Sequence, residues 1–289
     1  MAATQDSYYL PTPSRWPITG SLGLFSLLGG FAVLLDGSPV GKWLMILGAV
    51  ILVHMLFGWF GTVIRESEGG RYNDQVDVSF RWGMGWFIFS EVLFFAAFFG
   101  ALFYIRVFSV PWLGGEGAHG FATGPILWPG FDAVWPTNGP LDVGGAFETI
   151  PAFGLPAINT VILLSSGGTV TLAHHALKHG NRAGLVGWLC ATVALGITFL
   201  CVQSYEFHHA YESLNLTLGS GAYGSTFFML TGFHGLHVTI GAIMLSVVLA
   251  RSVRGHFTPK HHFAFEAAAW YWHFVDVVWL GLFIFVYWL

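Results

Sequence analysis

The chain has 289 residues, of which 55% are apolar, 17% aromatic and 9% charged, whereas a soluble domain carries about 25% charged residues. So few charges cannot screen that much apolar surface from water, and the same numbers exclude a disordered chain, a collagen-like chain and a disulfide-rich secreted scaffold. The net charge of −4 includes no basic patch large enough for nucleic acid, so no nucleic-acid partner is expected. An all-α integral membrane protein remains.

In chain order, uncharged or nearly uncharged runs predict spans over 16–35, 43–65, 82–106, 150–178, 183–207, 222–251 and 264–288. Each is about 20 residues or longer, the length a helix needs to cross a hydrocarbon core of about 30 Å. Helices are expected because in lipid the backbone must satisfy its own hydrogen bonds. Residues 107–150 hold nine Gly, five Pro and four acids but no Lys or Arg, which predicts a long irregular extracytoplasmic loop over 107–149. With a cytoplasmic N-terminus, Arg15, Arg65, Arg71, Arg81, Lys178, Arg182, Arg251, Arg254 and Lys260 fall inside, and only Lys42 and Arg106 outside. That bias sets the orientation, and seven crossings put the C-terminus outside. The first 15 residues are polar, lack a basic start and contain two prolines, so no cleavable signal peptide is expected. Cys190 and Cys201 share one run, and eleven residues of helix part them by about 16 Å, too far for a disulfide.

Acids inside spans are costly and need a reason. Glu91 has no cation in its own span, so desolvation should keep it neutral. It then acts as a proton relay or a polar grip, or is held by a neighbouring helix. His234 and His237 are three apart and share a helix face, as do His273 and Asp276. Glu266 lies near the inner end of the last span. His54, His234, His237 and His273 could supply a haem or metal set by number. The pairs His174–His175, His208–His209 and His261–His262 are adjacent, and adjacent helical side chains point about 100° apart, so both members cannot face one metal. Structural histidines are therefore expected, with no metal site. The segment from Arg251 to His262 mixes cations, hydrogen-bond donors and an aromatic between two spans, which suits anionic lipid phosphate. Plain positive-inside topology explains its charges equally well, but not its His and Thr donors. A self-sufficient transporter or proton channel, drawing on Glu91 and Asp276, is the second reading of these polar groups.

Five stretches carry a wider likeness: WFGTVIRES (Trp59–Ser67), SEVLFF (Ser90–Phe95), NTVILLSSGGTVTLAHH (Asn159–His175), YGSTFFMLTGFHGLHV (Tyr223–Val238) and HHFAFEAAAWYWHFVDVVW (His261–Trp279). From about Arg15 onward the chain resembles subunit III of aa3-type cytochrome c oxidase, of the bacterial kind; the loop over 107–149 looks larger than in mitochondrial members. The resemblance implies seven transmembrane helices in a two-helix plus five-helix arrangement, with a lipid-filled V-shaped cleft. It implies a non-catalytic subunit of the terminal oxidase, which passes electrons from cytochrome c to oxygen and pumps protons. Such a subunit stabilises the catalytic subunit and supports proton uptake. No cofactor is implied in this chain; haem a, haem a3 and copper would sit in partner subunits, with subunit I in direct contact and subunit II in the same complex. The location implied is the bacterial plasma membrane. Carried over residue by residue, Arg251 would pair with a phospholipid phosphate, with Arg254, His256, Thr258 and His261 around the headgroup. Trp59 and Glu66 would face the same cleft, and Glu91 matches a buried acid. His234, His237, His273 and Asp276 would be structural polar pairs, and no residue is catalytic or metal-binding.

Overall fold

In a computed structural model, residues 9–10 and 13–289 are described, so the signal-peptide reading rests largely on residues outside that range. Among the described residues there are helices and turns but no strand. The long helices are α1 (Trp16–Leu35), α2 (Val40–Glu68) and α3 (Asp74–Tyr104), then, after two short helices α4 (Val110–Leu113) and α5 (Gly117–Ala122), α6 (Leu155–Lys178), α7 (Arg182–Ser213), α8 (Gly221–Arg254) and α9 (Phe263–Leu282). Seven helices among the described residues are long and apolar enough to cross a membrane. Large apolar side chains such as Phe25, Phe57 and Trp86 are exposed, as expected where lipid is the solvent. The chain divides within α3 into two compact units, one ending at Trp82 and one over Gly83–Leu289.

In the first unit, α1 and α2 form a hairpin. Its turn is a Schellman motif: the Ser38 N–H bonds to the Val33 carbonyl (3.2 Å) and that of Gly37 to Leu34 (3.0 Å). Gly37 supplies the positive φ of 83° this requires. The two helices approach backbone to backbone because Gly23 and Gly30 on α1 face Gly41 and Gly48 on α2. A Cβ at Gly30 would lie 2.7 Å from the Met45 nitrogen, and one at Gly41 or Gly48 would collide with the α1 backbone. Small residues at helix contacts are how packing replaces the missing hydrophobic drive in lipid.

α3 begins at Asp74 and not at the predicted residue 82. The Asn73 side chain accepts the Val76 N–H (3.0 Å), capping the helix. Asp74 and Asp77 lie in its first turn, where acids suit the helix dipole, and Arg81 pairs with Asp77 four residues back (2.7 Å). Charges end an apolar run without ending a helix. For the same reason α7 runs on past 207 to Ser213.

In the second unit, α9 carries the centre of the core. Trp272 and Trp279 are fully buried, and each indole N–H reaches a hydroxyl of α6: Trp272 donates to Ser166 Oγ and Trp279 to Thr160 Oγ1, both 2.8 Å. The Trp272 ring fits only because α7 and α8 present glycines to it. A Cβ at Gly196 would stand 2.8 Å from the ring, and one at Gly241 2.7 Å. Phe199 of α7 meets the Trp279 ring edge-on at 4.7 Å.

The reading of 107–149 as wholly irregular is corrected. A π-helical turn, Ile105–Ser109, carries α3 into α4, and a second, Thr123–Leu127, follows α5. Pro111 stands second in α4, directly after the π-helical turn; a π-bulge is one of the places where the helix ladder is already interrupted. The rest has no regular structure but is tied to the turn between α7 and α8. Asn215 Nδ2 donates to the carbonyls of Gly144 (3.0 Å) and Ala146 (2.9 Å). Phe147 stacks on Tyr223 at 5.5 Å.

Candidate functional site

The connection from α8 to α9 is a built structure. Gly255, in the left-handed conformation, ends α8, with the His256 N–H on the Arg251 carbonyl (3.1 Å) and that of Gly255 on Ser252 (3.0 Å). Arg251 is 8% exposed, and its guanidinium lies over the Phe257 ring at 4.6 Å. Thr258 Oγ1 accepts the His261 N–H (3.1 Å), which closes the turn before α9. Arg182, at the start of α7, donates to the Val253 carbonyl. Arg254, Thr258, Lys260 and His261 are exposed, and His256 is half-buried. The five candidate lipid residues of this segment therefore converge on one end of α8. Three of them, Arg254, Thr258 and His261, present surface, while Arg251 is held beneath.

Trp59 and Glu66 belong to the first unit and lie seven residues apart on α2. Trp59 is exposed and stacks on Phe60 at 5.5 Å. The Glu66 carboxylate is already occupied: the Tyr9 hydroxyl donates to Oε1 (3.0 Å) and the Tyr72 hydroxyl to Oε2 (2.8 Å). Burial, and then the hydrogen bond to Glu66 and its charge, push the Tyr72 hydroxyl well above its usual range. It therefore stays a protonated donor. Neither tyrosine partner was legible in the sequence.

The intramembrane polar residues sort into ties between helices. Glu91 is half-buried, and its Oε2 stands 2.8 Å from His237 Nε2. The neighbouring helix α8 thus supplies the partner that its own span lacks. His237 Nδ1 lies 2.6 Å from the Phe233 carbonyl and must donate there. An imidazolium facing a carboxylate, or a neutral ring facing a protonated acid, gives a net-neutral pair in either case, which a membrane tolerates. His234 and His237 share a face but serve different neighbours: His234 is fully buried, with Nε2 3.1 Å from the Val275 carbonyl of α9. His273 Nδ1 lies 3.5 Å from Asp276 Oδ2, and Gly167 of α6 leaves the room that this carboxylate fills.

Two polar clusters went unpredicted. Glu206, fully buried in α7, accepts from the Tyr287 hydroxyl (2.6 Å) and from Gln203 Nε2 (3.2 Å). At the opposite end of the second unit, His174 of α6, His262 and Glu266 converge. The adjacency of His174–His175 and His261–His262 excluded both members of one pair from a common centre, but not one member of each. The spacing of His262 and Glu266, four apart at the start of α9, was the available signal.

Fold and site together define a polytopic helical membrane protein whose inward polar groups tie helices to one another and whose α8–α9 turn gathers cations. The sequence matches the family described as Cytochrome c oxidase subunit III over residues 6–289. Cytochrome c oxidase subunit 3 of Formosania lacustris is 41% identical over 291 residues, spanning 100% of this chain and 99% of that protein. That of Gadus morhua is 41% identical over 289 residues and that of Cyprinus carpio 40% over 291, with the same coverage. The chain belongs to the cytochrome c oxidase subunit III family. It is a respiratory-chain subunit, a non-catalytic part of an enzyme complex. These relatives are fish proteins and lend no support to a bacterial source.

Proposed function

We propose that the chain is a lipid-holding support of the oxidase's catalytic subunit: it packs against subunit I, shares the complex with subunit II, and helps proton uptake at the inner face. The haem a, haem a3 and copper that move electrons from cytochrome c to oxygen would then belong to those partners. The observation that carries this reading is the α8–α9 turn. There Arg251 is fixed over Phe257, and Arg254, Thr258 and His261 present charge and donors at the surface beside it. A phosphate met by a guanidinium makes charge-assisted hydrogen bonds, and acyl chains against the apolar helix faces would complete the site. Within the first unit, Trp59 offers exposed apolar surface of its own, whereas Glu66, engaged by two tyrosines, would serve by ordering the end of α2 and not by touching a headgroup. The orientation, with the N-terminus on the cytoplasmic side of a bacterial plasma membrane, is supported by nine of eleven basic residues falling on one side, and the bacterial assignment by the resemblance alone.

Native mass spectrometry of the intact complex tests the reading. Arg254→Ala and Arg251→Ala should each lower the retention of anionic phospholipid, by about 1.5–3 kcal/mol where a charged hydrogen bond is lost, and shorten the working life of the oxidase. Unchanged lipid content in both variants would remove the role.

A further inference from the structure

We propose that His174, His262 and Glu266 form a binding site for one divalent transition-metal ion, with zinc the best fit. The three facing atoms make a nearly equilateral triangle. His174 Nε2 lies 3.4 Å from His262 Nε2 and 3.4 Å from Glu266 Oε1, and His262 Nε2 lies 3.3 Å from Glu266 Oε1. Tetrahedral zinc with bonds of about 2.0–2.1 Å spaces its ligands about 3.3–3.4 Å apart. The triangle is therefore one face of a zinc coordination sphere, needing no backbone movement. A hydrogen-bonded triad would look different, since good N–H···O bonds fall at about 2.7–3.2 Å and one imidazole proton cannot favour three equal edges.

The second shell points the same way. His262 Nδ1 stands 3.1 Å from the Thr258 carbonyl, so its proton is held there and the Nε2 lone pair faces the centre of the triangle. A carbonyl on the far nitrogen is the usual way a ligand histidine is oriented. The ring of His174 is placed by Phe265, at 5.3 Å between centroids. All three residues are half-buried, so a fourth position is left for water. Two imidazoles and a carboxylate suit zinc among the borderline metals. Lys178, one turn further along α6, adds a like charge against which the ion must bind. An ion here would clamp the end of α6 to the first turn of α9, the helix whose Trp272 and Trp279 fill the core. Zinc is redox-inert, so the chain would still own no redox centre. The site stands independently of the lipid reading.

The test uses the full chain in lipid nanodiscs titrated with micromolar ZnCl₂, with bound zinc counted by elemental analysis and its shell read by X-ray absorption. One zinc per chain is expected, in a nitrogen and oxygen shell at about 2.0–2.1 Å, together with a raised thermal midpoint. His174→Ala and His262→Ala should each weaken binding about 100-fold or more, beyond what outer-shell partners carry, and Glu266→Gln should weaken it too. His175→Ala, the histidine adjacent to His174 on α6, should leave it unchanged. Absence of stoichiometric zinc in the unmodified chain, a shell containing sulfur from Cys190 or Cys201, or full affinity in His174→Ala or Glu266→Gln would overturn the assignment. The absorption spectrum of the unmodified chain decides the matter even where a variant fails to fold.

Discussion

The two units of the chain hold their helices together by different means. In the hairpin of α1 and α2 the contact is backbone against backbone, made possible by Gly23, Gly30, Gly41 and Gly48. Its polar ties lie at the ends, in Glu66 with Tyr9 and Tyr72 and Trp16 with Thr62 (3.4 Å). In the second unit glycines serve another purpose, making sockets for the large rings of α9, and hydrogen bonds cross the interior between α6, α7, α8 and α9. A hairpin of two helices has too little interior to surround a side chain, so it gains contact by removing side chains. A bundle can surround one, and there an indole contributes dispersion, an edge-to-face contact and a satisfied N–H together.

Substitutions can break this contrast at several strengths. Trp272→Ala should be the most damaging. It empties the socket between Gly196 and Gly241 and strips Ser166 of its donor, and core Trp→Ala changes cost about 3–5 kcal/mol. Unfolding in mixed micelles should show the loss in α6–α9 while the exchange protection of residues 16–68 stays as it was. Next, Gly48→Leu forces a side chain into the α1 backbone, where overpacking costs about 1–3 kcal/mol. Hydrogen exchange should rise in α1 and α2 with the second unit unaffected; a global loss would mean the two units are not separable in stability. Smallest is Glu91→Ala, which leaves His237 without its partner on α3. Interhelical hydrogen bonds in membranes average about 0.6 kcal/mol and reach about 1.7. A double-mutant cycle with His237→Phe should recover a coupling in that range, and a coupling of zero would reduce the pair to a coincidence of packing.

What could be read from the sequence, and what could not, follows from range. Spans are legible because charge stops an apolar run, and α1 runs over Trp16–Leu35, between Arg15 and Asp36. Asp74, Asp77 and Arg81 show the limit of that rule, since a helix continues through charges that its own caps and i, i+4 pairs accommodate. Pro111 and Pro125 read as loop formers, yet Pro111 sits in the first turn of a short helix, which only the neighbouring backbone can decide. Single-helix spacing identified His273 with Asp276, a local relation. It could not match Glu91 with His237, His174 with Glu266, or Glu66 with Tyr9, because those partners come from elsewhere in the chain. The basic segment from Arg251 to His262 was visible as composition, but not that Arg251 is buried against the Phe257 ring while Arg254 faces outward.

The role proposed for this chain is support of redox centres that belong to other subunits. Its most direct test is the visible spectrum of the full chain, first purified within its native complex and then separated from every partner. Haem absorption in the complex and a colourless isolated chain are predicted. Stoichiometric haem remaining on the separated chain, ligated by its own histidines, would contradict the account.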